Sequence, residues 1–226
     1  VGRAVNQQAG EVLAADLRLE SPRPIAEGYD EEAASRGLRV ARILSMPSVV
    51  FHGEASSLVA LRAVGDGYPL RGRLKVADEP FGPARPTDTI PQPGEAWADS
   101  RLLARLGVPV GARLSVGAHE VTVTQVLDYR PDQGAGFGAL SATLMINLGD
   151  VPATELIQPG SRVSRAVLFA GEAGDVARFR EYLRSNKKSG ERLQAIEDAS
   201  PQIRASSDRA GRFLSLASLV SVLLAA

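Results

Sequence analysis

The sequence predicts an α+β fold in two parts. Both chain ends (1–67 and 160–226) form one unit, and a smaller β-rich unit (68–159) is inserted between them. Two observations carry this reading. The apolar pattern switches several times between a helical period near 3.6 and the period of two expected of half-buried strands. Clusters of Gly and Pro at 65–69 and 80–94 then cut the chain, and the segments between 113 and 147 are short and strand-like. The 226 residues are 44% hydrophobic and 23% charged, which excludes collagen and wholesale disorder and is enough for a core without staples.

The elements follow in order. Val5, Ala9, Val12, Leu13 and Leu17 share one stripe, predicting a helix over 3–19 that ends at Ser21-Pro22-Arg23-Pro24. A short helix is expected over 30–36, closed by Gly37. Residues 39–52 read as a strand, with a break expected at Met46-Pro47 because proline cannot donate to a ladder. Gly53-Glu54 turns it into a second strand, 57–65, and Gly65-Asp66-Gly67-Tyr68-Pro69 is a dense turn signal.

Prolines 80, 83, 86, 91 and 93 predict an exposed loop between the units. Asp99 should cap a helix over 100–106 that Gly107 stops. Strands are expected at 113–116 and 119–127, with Val121, Val123 and Leu127 on one face. Asp132–Leu140, with Gly134, Gly136 and Gly138 around Phe137, reads as a mobile loop, and Phe137 as a partner-contacting tip. A strand at 142–147, a short helix capped by Asp150, and a strand at 162–169 come next. Residues 175–184 form an amphipathic helix with Val176, Phe179, Tyr182 and Leu183 inward, before a short strand at 192–196.

Ser200 and Pro201 open a last helix. From Phe213 to Ala226 there is no charge. The run is shorter than the roughly 20 apolar residues of a membrane span, so it reads either as the opening of a membrane helix or as a buried core helix. Val1 begins the chain with no leader pattern, and the segment is expected to continue at both ends.

The residues offer little chemistry. No cysteine is present, so thiolate nucleophiles, disulfides and Cys-ligated zinc are excluded; two histidines cannot build a multi-histidine metal site. Lys plus Arg and Asp plus Glu balance at 26 each, and aromatics are 5%, which speaks against nucleic acid. His52 and His119 read as surface or edge residues, and no G-x-S-x-G elbow occurs. Glu31-Glu32, Asp78-Glu79 and Glu197-Asp198 are adjacent acids whose side chains point apart. The three glycines lack the Lys-Ser/Thr of a P-loop. No catalytic, cofactor-binding or metal set is expected.

Five stretches, however, resemble a known family in the same order: QQAGEVLAADLRL (7–19), VGDGYPLRG (64–72), ARLGVPVGARL (104–114), ELIQPGSRVS (155–164) and AGRFLSLASLVSVLL (210–224). They are similar to FtsX/MacB-like ABC transporter permeases of the YbbP-like branch. The resemblance implies the first periplasmic domain of a bacterial inner-membrane permease, lying between membrane helices one and two. It implies a porter-like mixed α/β sub-domain formed by both chain ends, with the β-rich sub-domain inserted.

The resemblance also implies no enzyme activity here, with ATP hydrolysis in a separate cytoplasmic subunit whose work reaches the periplasm as mechanical motion. The implied partners are that ATPase, the membrane through flanking helices, and a periplasmic lysophospholipase/thioesterase-type hydrolase handling lipid-like hydrophobic compounds. Val5, Val12, Leu13, Leu17, Phe213, Leu216, Leu219, Val220 and Leu223 are expected in a membrane-proximal two-helix stalk. Gly134, Gly136, Phe137, Gly138 and Leu140 are expected to contact a partner. Two other readings stay open: a carrier that cradles a hydrophobic ligand, and a small hydrolase with an atypical site near His52 or His119.

Overall fold

Leu17 and Leu19 alternate with Arg18 and Glu20, and this period of two prevails over the helical stripe that precedes it. A computed structural model gives the structure, and it describes residues 13–133 and 141–195. Within them the expected helix over 3–19 is corrected: Leu17–Ser21 is a strand, β1, after a turn in which Ala14 has φ +58°. Pairing on both sides decides the matter, since Leu17 lies opposite Phe169 on one neighbour and Ala195 on the other. A helix here would leave both flanking strands with an open edge.

The first helix, α1, runs from Gly28 to Ser35, and Gly37 takes φ +76° just beyond it. Strands β2 (Arg39–His52) and β3 (Ala55–Val64) form a hairpin in register from Ile43–Val64 to His52–Ala55. The break expected at Pro47 does not occur. Pro47 sits beyond the part of β2 that pairs with β10 and before the part that pairs with β7, so one side of the strand has no ladder to lose there.

The region expected as an exposed loop holds β5 (Arg85–Thr87), which pairs with β4 (Leu74–Ala77) just before it, and Ile90 is buried. Strand β6 (Glu95–Ala98) leads to α2 (Ser100–Leu106), which starts and stops as expected: the Asp99 carboxylate accepts from Leu102 N, and Gly107 is left-handed. Strands β7 (Arg113–Val116) and β8 (His119–Tyr129) meet at Gly117, where φ is +60° and a Cβ would lie 2.0 Å from Thr154 O. Only glycine fits that turn.

One expected face of β8 is corrected. Ala96 lies opposite Val123 but Trp97 opposite Gln125, so one residue is extra and the alternation flips. Val126, not Leu127, therefore joins Val121 and Val123 in one cluster, while Leu127 packs with Trp97 in another. Strand β9 (Ala142–Asn147) is followed by a 3₁₀ turn and the short α3 (Val151–Thr154). Asp150 does not cap that helix with its side chain; its carboxylate accepts from Gly94 N at 2.9 Å. Strand β10 (Ser164–Ala170), α4 (Ala173–Asn186) and β11 (Arg192–Ala195) complete the described chain.

The strands form one sheet in the order β11-β1-β10-β2-β3-β9-β6-β8-β4-β5, with β7 bridging β2 and β8. Segment 68–159 joins it through β9, parallel to β3, and through β7 at the end of β2. Helices α1 and α4 cover one face beside β1 and β10, where Phe179 meets Phe169 edge-on at 4.8 Å and Leu183 is fully buried. Towards the hairpin, α2 packs over Leu44, Met46, Val59 and Leu61 of that same face.

Candidate ligand groove

The hairpin's two faces differ in kind. On β2, Leu44, Met46, Ser48 and Val50 point into the core, so Ser45, Pro47, Val49 and Phe51 point the other way. Opposite them on β3 stand Arg62, Ala60, Leu58 and Ser56. This second face is left largely open: Val49 is 41% exposed, Phe51 46% and Leu58 57%. An apolar stripe thus runs along the ribbon and ends at the pair Ser45–Arg62.

At that end the stripe enters a groove of about 740 Å³. Its walls include Pro22, Pro47, Leu58 and Ala60; Arg62 and Arg130 are its charged lining together with Arg162, and Ser45, Ser141, Ser161 and Ser164 add hydroxyls. Arg62 Nη1 donates to Ser45 Oγ at 2.8 Å, and its Nη2 pairs with the Asp132 carboxylate. Arg130 donates to Asp132 Oδ1 at 3.0 Å and to its carbonyl at 2.9 Å. Arg18 lies 3.7 Å from the same carboxylate, and Tyr68 donates its hydroxyl to it at 2.6 Å. Asp132 is thus a buried counter-ion, which corrects its place in the expected mobile loop. The rest of that loop, including Gly134, Gly136, Phe137, Gly138 and Leu140, lies outside the described residues.

Three arginines share Asp132, and among the described residues Glu20 is the further acid in an ion pair with them, through Arg18 at 3.1 Å; the Asp99 charge also acts on Arg130. Burial pushes the Arg62 guanidinium down to about 10, and the Arg130 and Arg18 charges push the same way against the Tyr68 oxygen. Burial also lowers Arg130. At about 10, Arg62 remains a cation at neutral pH. Burial opposes ionisation of Glu20, but the Ser164 hydroxyl and Arg18 outweigh it and hold the carboxyl below its usual range. Arg62 Nε and Arg18 Nε are buried without a hydrogen-bond partner among the described residues. The groove therefore offers donors and positive charge, with apolar walls.

The histidines lie elsewhere. His52 is exposed at the hairpin end with Nδ1 2.8 Å from Arg113 O. His119 Nε2 is buried, 3.8 Å from Asp150 Oδ1, and no hydroxyl nucleophile is hydrogen-bonded to either ring among the described residues. Glu32 pairs with Arg36, and Asp78 with Arg85 at 3.0 Å, as solvated surface acids do; Glu197 and Asp198 lie outside the described residues. No cluster of three or more potential metal ligands occurs among the described residues. Leu13 and Leu17, expected on the stalk, are core residues, and Val5, Val12, Phe213, Leu216, Leu219, Val220 and Leu223 lie outside the description. Sequence reasoning missed Arg62. The signal was there, since one arginine interrupts the run Leu58-Val59-Ala60-Leu61-Arg62-Ala63-Val64.

No protein-family model matches the chain. YbbP of Escherichia coli K12, an uncharacterized ABC transporter permease, is 30% identical to it over 223 residues. The match takes in 99% of this chain. The chain is similar to a segment of an ABC transporter permease. It spans 27% of that permease's length. The resemblance to FtsX/MacB-like permeases of the YbbP-like branch is thereby borne out.

The periplasmic region of MacB from Actinobacillus actinomycetemcomitans has the same fold, with a TM-score of 0.53 at 16% identity. It aligns over 85% of this chain and 95% of that one. The extracellular domain of the noncanonic ABC-type transporter YknZ from Gram-positive bacteria gives 0.49 at 13% identity, over 79% of this chain and 99% of that one. The α+β class expected from the sequence is thus the one found, in the form of the MacB periplasmic fold. The expected setting outside the cytoplasm agrees with that neighbour. No helix among the described residues is long and apolar enough to cross a membrane.

Proposed function

We propose that the chain is the first periplasmic domain of an ABC transporter permease. It passes ATP-driven motion of flanking membrane helices to the periplasm. There it docks a lysophospholipase/thioesterase-type hydrolase in the handling of lipid-like hydrophobic compounds. The observation that carries this is the alignment with a permease along 99% of the chain. The pairing of β1 with β11 supports it, because the chain enters and leaves the sheet on adjacent strands. A domain hung between two membrane helices needs that arrangement. ATP hydrolysis is assigned to a cytoplasmic partner, and the isolated chain is expected to turn over no ester. The carrier reading is favoured by one specific observation, the open apolar stripe that leads into the groove.

The test is to purify the whole permease from membranes, with and without residues 13–195. The intact permease should retain both an ATPase subunit and a periplasmic hydrolase. The deleted form should keep the ATPase and lose the hydrolase, and Phe137→Ala should weaken hydrolase retention without lowering the melting temperature. A permease that comes without an ATPase refutes the transporter assignment. A hydrolase retained by the deleted form refutes docking on this domain.

A further inference from the structure

The stripe and the groove form one continuous surface, apolar for most of its length and cationic at its inner end. From Ser45 to Phe51 it covers about 20 Å of strand at about 3.4 Å per residue. That compares with the roughly 15 Å of one leaflet in a hydrocarbon core of about 30 Å. Val49 and Leu58 stand side by side across the hairpin, as do Pro47 and Ala60, so the stripe is two strands wide. At its end Arg62, 93% buried, lines the groove with Arg130 and Arg162, and among the described residues Arg18, Arg62 and Arg130 outnumber the acids paired to them, Asp132 and Glu20. A buried cation without full counter-charge costs free energy that an incoming anion would recover.

We infer that this surface binds a long-chain carboxylate, its head against Arg62 and Arg130 and its single tail along Pro47, Val49 and Leu58. Charge selects the occupant. A neutral apolar chain would fill the stripe but leave the arginine excess uncompensated, and a small anion would satisfy the arginines but leave Val49, Phe51 and Leu58 in water. A ligand with both parts does both. The inference gives a ligand class to the lipid-handling part of the proposed function and rests on that part alone.

The test is a titration of the 226-residue chain with dodecanoate below its micellar concentration, followed by calorimetry. Acetate serves as the head without a tail, and dodecyltrimethylammonium as the same tail with the opposite charge. Dodecanoate should bind one to one, dodecyltrimethylammonium at least about tenfold more weakly, and acetate not measurably. Arg62→Met should abolish binding. Because that variant removes a partner of Asp132 and can fail to fold, Leu58→Asp is the second: it is an exposed site where a charged group replaces the apolar surface on which the tail lies. It should weaken dodecanoate by at least about tenfold with an unchanged melting temperature. No binding of dodecanoate, equal binding of the cationic amphiphile, or full affinity in Leu58→Asp would each overturn the inference. None of these outcomes touches ATPase co-purification or hydrolase retention, so failure here stays distinct from failure of the permease assignment.

Discussion

Asp132 is where a single side chain matters most. It faces Arg18, Arg62 and Arg130 and accepts from Tyr68, all in the interior. Asp132→Asn keeps the shape but turns an amide towards cations that have lost their counter-charge. Removing one partner of a buried ion pair costs about 3–5 kcal/mol, and urea unfolding should show a loss of that size. Asp88→Asn is the comparison, because its pair with Arg73 is mostly in water, and its loss should be about 1 kcal/mol or less. Equal effects would mean that the buried charges do not depend on Asp132. Tyr29 gives a pH-dependent case. Its hydroxyl donates to Glu191 at 2.9 Å, and burial together with that carboxylate pushes the phenol up to about 12. The folded state therefore holds this proton more tightly than the unfolded chain, whose phenol titrates near about 10. The contribution is complete below that value and lost as pH rises through about 12. Tyr29→Phe should lose about 1 kcal/mol in urea unfolding at neutral pH. The gap from wild type should narrow as the pH is raised from about 10 to 12; a constant gap would show that the bond is not what distinguishes the two.

At the scale of the element, α2 is set by one residue outside it. Asp99 Oδ1 accepts from Leu102 N at 2.8 Å, and Oδ2 accepts from Thr143 N at 2.9 Å on β9. The same carboxylate caps a helix and satisfies a strand, so it fixes how α2 sits over the sheet. The cap alone is worth about 0.5–2 kcal/mol. Asp99→Ala also strands the Thr143 N–H, so the thermal or urea measurement should show about 2–4 kcal/mol lost. Asp99→Asn keeps one acceptor and should recover part of it. If alanine and asparagine behave alike, neither bond carries stability. The cap was legible in the sequence because Asp before an apolar helical run has one common structural use. The second bond was not, since β9 lies more than forty residues away.

Across the whole molecule, β1 and β11 place the two ends of the described chain side by side, with Leu17 opposite Ala195. The stalk proposed beyond them would continue that closeness towards the membrane. Cysteines at Val12 and Ile203 in the otherwise cysteine-free chain should then cross-link readily with a short bifunctional reagent in the whole permease, and the linked form should run anomalously on a denaturing gel. No cross-link with reagents of increasing length would show that the segments diverge. The sheet has a further consequence at this scale. Because β3 pairs with β9, hydrogen-bonded strands run from β1 and β11 into segment 68–159, which is the route the proposed motion would take.

The sequence by itself determined the class, the hairpin of β2 and β3, the amphipathic α4 and the caps of α2. These depend on periodicity and on residues a few positions apart, where the chain's own geometry brings the partners together. It also determined the absence of thiol chemistry, and through five short stretches the resemblance to a permease. Tertiary structure alone decided that Leu17 and Leu19 are strand, because the deciding partners are Phe169 and Ala195. It alone decided that Val126 rather than Leu127 turns inward, since the extra residue of β8 exists only relative to β6. And it alone gathered Arg18, Arg62, Arg130 and Asp132. Apart from Arg62, which interrupts an apolar run, these charges look like ordinary surface residues in the sequence, and burial becomes bearable only where distant strands supply the counter-ion.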